Sequence, residues 1–444
     1  MAIPTGAAAP KVRSPLFFGW YIVGIAFVAQ FVSAGTQVYA AGVFLKPMTT
    51  DLGWSRGQYS LVQTVSTVVM GVVGFSIGAR IDKQGPRLLM FIGGIICGAS
   101  LIATSQVHNL WEFYLARGVA QTVGGAMLGN LVVNVTVARW FVARRGMAIS
   151  IASAGVSLGG VLLTPVVGWW VGDYGWREAW VFLGIMVWVL ILPSALIIRR
   201  SPEDRGLHPD GMNPEEASAY TKRRKRMSAA TEVQWTRPEA IRTTTIWYVI
   251  FAYGVANIGL GAMLIHLIPF LTDHGWSRAE ATALFGLQAW LALLSKPLWG
   301  LLMDRFHARY LSAFGFVVSA IGVLAVLAAT KADSTPLVAI AVATYGFGIG
   351  GTVPLQETVW ASYFGRMHLG KIRSVAMPFT IIFGAGGPFM AGWLFDRTGN
   401  YTLAFMLFSM FSVIGFLLIL LAKPPVRKVP PSGPIPAGVE GQPG

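Results

Sequence analysis

Asp51-Leu-Gly-Trp-Ser-Arg56 returns 222 residues later as Asp273-His-Gly-Trp-Ser-Arg278. The same offset carries Pro47 to Pro269, Gly78-x-x-x-Asp82 to Gly300-x-x-x-Asp304, and Arg87 to Arg309. Further along the offset drifts by a single residue, so Pro165 and Asp173 return as Pro388 and Asp396. Punctuation residues that recur at fixed spacing mark a duplicated unit. The chain is therefore two halves built alike.

What each half is made of follows from composition. The 444 residues are 54% hydrophobic and only 12% charged, with a mean hydropathy of +0.60. A soluble chain is about a quarter charged, and the apolar runs here reach the roughly 20 residues that cross a bilayer. The pattern predicts an all-α membrane protein of twelve spans, near 18–44, 58–79, 88–107, 111–135, 148–171, 179–198, 244–270, 280–302, 310–330, 336–356, 374–395 and 402–422. Six spans per half keep both halves in one orientation, a parallel repeat about an axis along the membrane normal.

The net charge of +15 invites a nucleic-acid reading, which the placement of the charges excludes. With the N-terminus inside, 26 of the 34 Lys and Arg fall on inner segments and 6 on outer loops, leaving Arg117 and Lys296 within spans. That bias is the positive-inside rule, so both termini are expected in the cytoplasm and the chain in the cell membrane. The expected domains are a tail (1–17), a six-helix bundle (18–198), a cytoplasmic linker (199–243), a second bundle (244–422) and a Pro- and Gly-rich tail (423–444). The basic run Lys222-Arg-Arg-Lys-Arg226 lies in the linker, where it anchors topology and touches anionic headgroups. The first apolar run is too long for a cleavable signal and is expected to serve as the insertion signal. One cysteine, Cys97, precludes an intrachain disulfide, and no cluster of Cys and His suggests a metal. No cofactor is expected, and no phosphate-binding Gly-x-x-x-x-Gly-Lys-Ser/Thr is present, so transport would run on gradients.

The loop between spans two and three is Gly78-Ala-Arg-Ile-Asp82-Lys-Gln-Gly85-Pro-Arg87, and its twin is Gly300-Leu-Leu-Met-Asp304-Arg-Phe-His-Ala-Arg309. Glycine permits the tight turn, and an aspartate at a helix end accepts basic side chains or a helix N-terminus. This loop resembles that of the major facilitator superfamily over nearly the whole chain. The resemblance implies two pseudo-symmetric six-helix bundles and latches at Asp82, Arg87, Asp304 and Arg309 that break and re-form. Where the first copy has Gly85, Ala308 sits near the equivalent place in the second, so that turn is expected to be looser.

A narrower resemblance lies in Arg139-Trp-Phe-Val-Ala-Arg144-Arg145 followed by a helix carrying Gly155, Gly159 and Gly160. This is similar to the monocarboxylate porters and the oxalate/formate-type antiporters, with Arg144 and Arg145 at the inner gate. The glycines form a close-packing face. Ser295-Lys296-Pro-Leu-Trp-Gly resembles the segment where carboxylate porters place a substrate-binding cation, usually Arg. A bare cation at this depth costs about 3 kcal/mol to insert, and its repeat mate is Gly74, so the symmetric scaffold turns asymmetric here. The alternative is a lysine snorkelling toward the headgroups. Three positions depart from the porters. Ala292 stands where proton-linked members carry an acid, Tyr39 where they carry a lysine, and the middle of 375–395 has no cation. One buried positive charge suits one carboxylate better than two.

Uncharged polar residues complete the expected site. Gln30, Ser33 and Gln37 fall at i, i+3 and i+7 of span one, on one helix face, which should line the central cavity because polar groups in lipid must face protein or water. Tyr39, Asn130, Asn257, Gln288 and Tyr345 are the other candidates. Arg117 and His266 are candidates for coupling, each with a structural alternative: bonding helix carbonyls for Arg117, packing for His266. Glu357 is expected to pair with Arg366, Lys371 or Arg305 at the inner gate. Together these features predict a monomeric secondary transporter moving a small organic anion, most simply a monocarboxylate, with a proton or counter-anion as coupling partner. Its rivals are an exporter of hydrophobic compounds, given 16 Trp and 26 Phe, and a transporter-shaped sensor. No nucleophile–base pair points to an enzyme.

Overall fold

The computed structural model describes residues 17–212, 235–365 and 368–425, without the side chains of 75–84 and 131. The expectations for the basic run 222–226, for Arg366 and for the Asp82 side chain lie outside the described residues.

Twelve long rods of helix form among the described residues: α1 (Gly19–Leu52), α2 (56–84), α3 (Gly85–Ser105), α4 (110–140), α5 (Arg145–Asp173), α6 (Trp176–Ile197), α7 (Thr244–Asp273), α8 (Arg278–Met303), α9 (Ala308–Lys331), α10 (Thr335–Phe364), α11 (Leu369–Thr398) and α12 (Thr402–Leu421). Nine are long and apolar enough to cross a membrane by composition, the exceptions being α2, α4 and α8. Large apolar side chains point outward, among them Trp111, Val189, Leu301 and Ile340, each over 60% exposed. Such a surface is stable only against lipid, and this is a multi-pass membrane protein.

The rods overrun the expected spans because the repeated motif is a cap. α1 runs on through Pro47 and stops at Gly53, whose φ of +68° ends the helix in the left-handed conformation. Ser55 then starts α2 with a reciprocal capping box to Gln58, and Ser277 does the same for α8 with Glu280. Gly85, at φ +74°, is the break between α2 and α3, while the twin turn relies on the His307 side chain, which accepts from the Arg309 amide at 3.2 Å. Burial, and then the Arg309 guanidinium, hold His307 below the usual imidazole range. It stays neutral and able to accept near pH 7.

Helix contact within each half is close. A Cβ on Gly155 would stand 2.2 Å from the Phe27 carbonyl oxygen, so α5 lies directly on α1. Phe44 and Trp180 stack at 3.8 Å between α1 and α6. The linker is more structured than a plain connection. Asp210, itself at φ +58°, accepts from the Val142, Ala143 and Arg144 amides at 2.7, 2.7 and 3.1 Å, tying residues 199–212 to the turn before α5. On the other side Trp235 is buried and donates to the Phe364 carbonyl, and the short helix Arg237–Ile241 leads into α7.

Candidate functional site

The two halves meet along α2/α11 and α5/α8, with α1 against α7, and one end of the molecule is sealed. Both Phe17 and Lys423 lie at the other end, called here the terminal face. At the sealed end the Asp273 carboxylate takes Arg56 and, at 3.0 Å, Lys46 from the opposite half. Arg56 lies 3.7 Å over the Phe395 ring and donates to the Tyr401 hydroxyl at 2.8 Å. Asp396 accepts from the Arg56 and Gly57 amides at 2.9 and 2.8 Å, capping the first turn of α2 with an acid from α11.

Below this layer sits His266, fully buried. Nε2 is 2.9 Å from the Pro388 carbonyl and 3.1 Å from Ser60 Oγ, and Nδ1 is 3.0 Å from the Tyr401 hydroxyl. A carbonyl only accepts, so Nε2 carries the proton and Nδ1 accepts from Tyr401. Every polar atom of the ring is occupied in holding three helices, α2, α11 and α12, to α7. In this conformation those bonds are the ones a packing histidine makes. Thr64 adds another bond across the halves, donating to the Ala385 carbonyl at 2.7 Å.

Toward the terminal face, Lys296 Nζ donates to Ser157 Oγ at 2.7 Å. This bond joins α8 of one half to α5 of the other, and the lysine has no carboxylate partner among the described residues. Nearer the sealed end the same seam is shut: Tyr39 meets Phe285 edge-on at 6.1 Å, and a Cβ on Gly160 would touch both the Tyr39 ring and Ala289. Tyr39 thus fills the seam between α1, α5 and α8.

Several expected positions change meaning. Gln30 donates to Asn134 at 3.2 Å and Ser33 to the Gly125 carbonyl at 3.4 Å, so both serve the α1/α4 contact instead of an open wall. The reason is satisfaction: α4 offers partners to polar groups that lipid would leave bare. Gln37, in a π-helical turn (Gly35–Tyr39), is among the residues that line a cleft beside α2 and α11. Arg117, also in a π-helical turn (Tyr114–Ala120), is buried and donates to the Thr36 and Gln37 carbonyls at 3.2 and 2.5 Å. It props open the distorted turn of α1. Asn257 and Tyr345 line a hole of about 20 Å³ inside the second bundle, room for one water and too small for substrate. Gln288 is buried, whereas Asn130 is exposed.

At the terminal face the described charged side chains lie at the surface. Asp304, Arg87, Arg144 and Arg145 are exposed, Arg145 also reaching the Ala138 carbonyl, and Asp304 has no ion-pair partner among the described residues. Arg309 donates to its neighbour Tyr310. Glu357 pairs with Arg373 at 2.6 Å, a different partner from those expected and one from its own half. Two groups escaped the sequence reading. Ser157 was hidden in a helix read only for its glycines, and Arg56 with Asp273 in a motif read only as punctuation. An acid and an arginine both repeated at the mouth of each half were the available signal.

A two-bundle helical fold sealed at one end, with a cation between the halves that has no carboxylate partner among the described residues, is the architecture of a carrier. The Major Facilitator Superfamily profile matches residues 25–271 and again 249–440, and the chain belongs to that superfamily: it is a transporter of small molecules and not an enzyme. Among curated relatives it is similar to Monocarboxylate transporter 12 of Rattus norvegicus (24% identical, covering 91% of this chain and 85% of that one) and Monocarboxylate transporter 13 of Bos taurus (26%, covering 90% and 88%). Among solved structures, it superposes on a D-xylose-proton symporter with a TM-score of 0.70 (14% identical, covering 90% and 97%). A bacterial homologue of the human lysosomal transporter Spinster, inward-facing and occupied, gives 0.66 (17%, covering 94% and 96%). Both likenesses concern the fold.

Proposed function

We propose that the protein carries a small organic anion, a monocarboxylate, by alternating access, with Lys296 receiving the carboxylate. The observation that carries this reading is the Lys296–Ser157 bond: a cation between the halves whose partner is a neutral hydroxyl. A charge held in a low-dielectric place without a counter-charge is an incomplete pair. A carboxylate completes it and takes further donors, since the ammonium has three N–H groups and the serine hydroxyl still has its own proton to give. The relatives named for monocarboxylates support the same substrate class.

The basic bias makes the terminal face cytoplasmic, so the conformation described opens inward and the seal is extracellular. The protein acts as a monomer in the cell membrane, and flux follows a proton or counter-anion gradient. When a substrate neutralises Lys296, the cost of closing the two halves over it falls. The test is uptake into proteoliposomes of labelled monocarboxylates beside their uncharged amides and beside cationic dyes. Saturable uptake of the acids alone is expected. Transport of dyes with no carboxylate flux would replace this reading with hydrophobic-compound export.

A further inference from the structure

Arg56 grips Asp273 with both terminal guanidinium nitrogens, one on each carboxylate oxygen, and Lys46 Nζ stands 3.0 Å from the Asp273 Oδ1. Lys46 also donates to the Thr272 carbonyl at 3.3 Å. A planar fork and a point donor on one carboxylate make the strong form of charge-assisted recognition. The sealed end thus holds a built carboxylate site with a carboxylate in it.

The repeat shows what is particular to this corner. Arg56 and Asp273 have the mates Arg278 and Asp51, but at the same offset Lys46 has Ile268. On that side the acid stays in its own half: Asp51 accepts from Arg177 and Trp176 at 2.7 and 3.1 Å. Arg278 has no ion-pair partner among the described residues. The duplicated motif contains one acid and one arginine, and the lysine is added at one corner only.

Ownership of these charges decides what happens when the halves part. Lys46 and Arg56 belong to the first half, whereas Asp273 and the Asp396 that caps the Arg56 amide belong to the second. Opening leaves two cations side by side on one wall and takes both acids away. Asp51, the acid nearest them in sequence, is held by Arg177. Two like charges close enough to share one carboxylate repel each other once it has gone.

We infer that Lys46 and Arg56 form an outer capture site for the substrate carboxylate, filled by Asp273 while the gate is sealed and by an arriving monocarboxylate when it opens. This rests on the carboxylate reading and adds a second site to Lys296. Substrate then helps to open its own gate. A ligand that binds only the open state multiplies the open-to-sealed ratio by one plus its concentration over its dissociation constant. Tyr401 and Phe395 withdraw with the second half, so the acid is held by exposed cations alone, a weak grip that lets it move on.

The experiment measures the width of the sealed end in nanodiscs by electron spin resonance between labels at Gln106→Cys and Ala332→Cys, exposed positions on turns of the two halves at that end. The one native cysteine, Cys97, is buried and stays unlabelled. Every chain carries Lys296→Ala, which removes the inner carboxylate site, and Asp273→Asn supplies the open distance. Sodium acetate is compared with acetamide in sodium chloride at equal ionic strength, so that screening is the same in both. Acetate should raise the open-to-sealed ratio, about threefold at twice its dissociation constant, and the control should not. Lys46→Gln keeps the Arg56–Asp273 bond and, against its own baseline, should need about threefold more acetate, the worth of one exposed ion pair. Lys46→Arg should restore the response, and elution of each variant as wild type in detergent separates misfolding from lost binding. Equal ratios in acetate and in the control, or a response that Lys46→Gln leaves unchanged, would overturn the inference while Lys296-dependent uptake stands. A wild type that carries no carboxylate in proteoliposomes removes the parent reading, and substrate capture with it.

Discussion

Among the described residues the two ends of the molecule bond differently. At the sealed end, polar contacts run across the halves, Arg56 and Lys46 to Asp273, Asp396 to the start of α2, His266 to Ser60, beside the Arg177–Asp51 pair within the first half. At the terminal face the described contacts run within a half: Glu357 to Arg373, Asp210 to the turn before α5, Arg309 to Tyr310. Within each bundle the helices touch closely, as where Gly155 lies on α1. The difference points to the polar bonds at the sealed end, with the close approach of α1 to α7 at Gly42 and of α11 to α2 at Gly392, as what holds the halves in this conformation.

The sharpest way to break this comparison is at Asp273, where two cations from the other half converge on one half-buried carboxylate. Asp273→Asn leaves Arg56 and Lys46 unpaired and should shift the equilibrium away from the sealed state by about 2 kcal/mol, between the values of exposed and buried pairs. The check is thiol labelling of a cysteine placed at Ser66, which should become reachable from the sealed side. Labelling as slow as in wild type would deny the latch. Tyr401→Phe removes the hydroxyl shared by Arg56 and His266 and should act in the same direction by about 1 kcal/mol, read in the same assay. Glu357→Gln, at an exposed pair within one half, should change labelling and uptake by less than about 1 kcal/mol. An effect as large as that of Asp273→Asn would mean that the terminal face also latches across the halves.

The fold was legible because duplication and lipid leave loud marks. The returns of Asp51-x-Gly-Trp-Ser-Arg56 and of the Gly78 loop announce two halves, and the long apolar runs announce helices that cross a membrane. Lys296 was legible because a cation in an apolar span is rare. The stripe Gln30–Ser33–Gln37 was misread because periodicity says which residues share a face and nothing about which neighbour covers it. The π-helical turn at Gly35–Tyr39, which sets Gln37 apart, leaves no mark in residue spacing. Asn257 and Tyr345 were indistinguishable by type from cavity residues; only burial places them around a water-sized hole. Partners such as Ser157 and Arg373 require the two chains of residues to be brought together in space.

The measurement that bears most directly on the whole account is carboxylate uptake by Lys296→Ala and Lys296→Arg beside wild type in proteoliposomes. Loss of uptake by about a hundredfold or more in Lys296→Ala, the scale of truncating one side of a desolvated charge pair, with substantial recovery in Lys296→Arg, is the predicted result. Undiminished carboxylate uptake by Lys296→Ala would contradict it and leave that lysine as a side chain reaching for the headgroups.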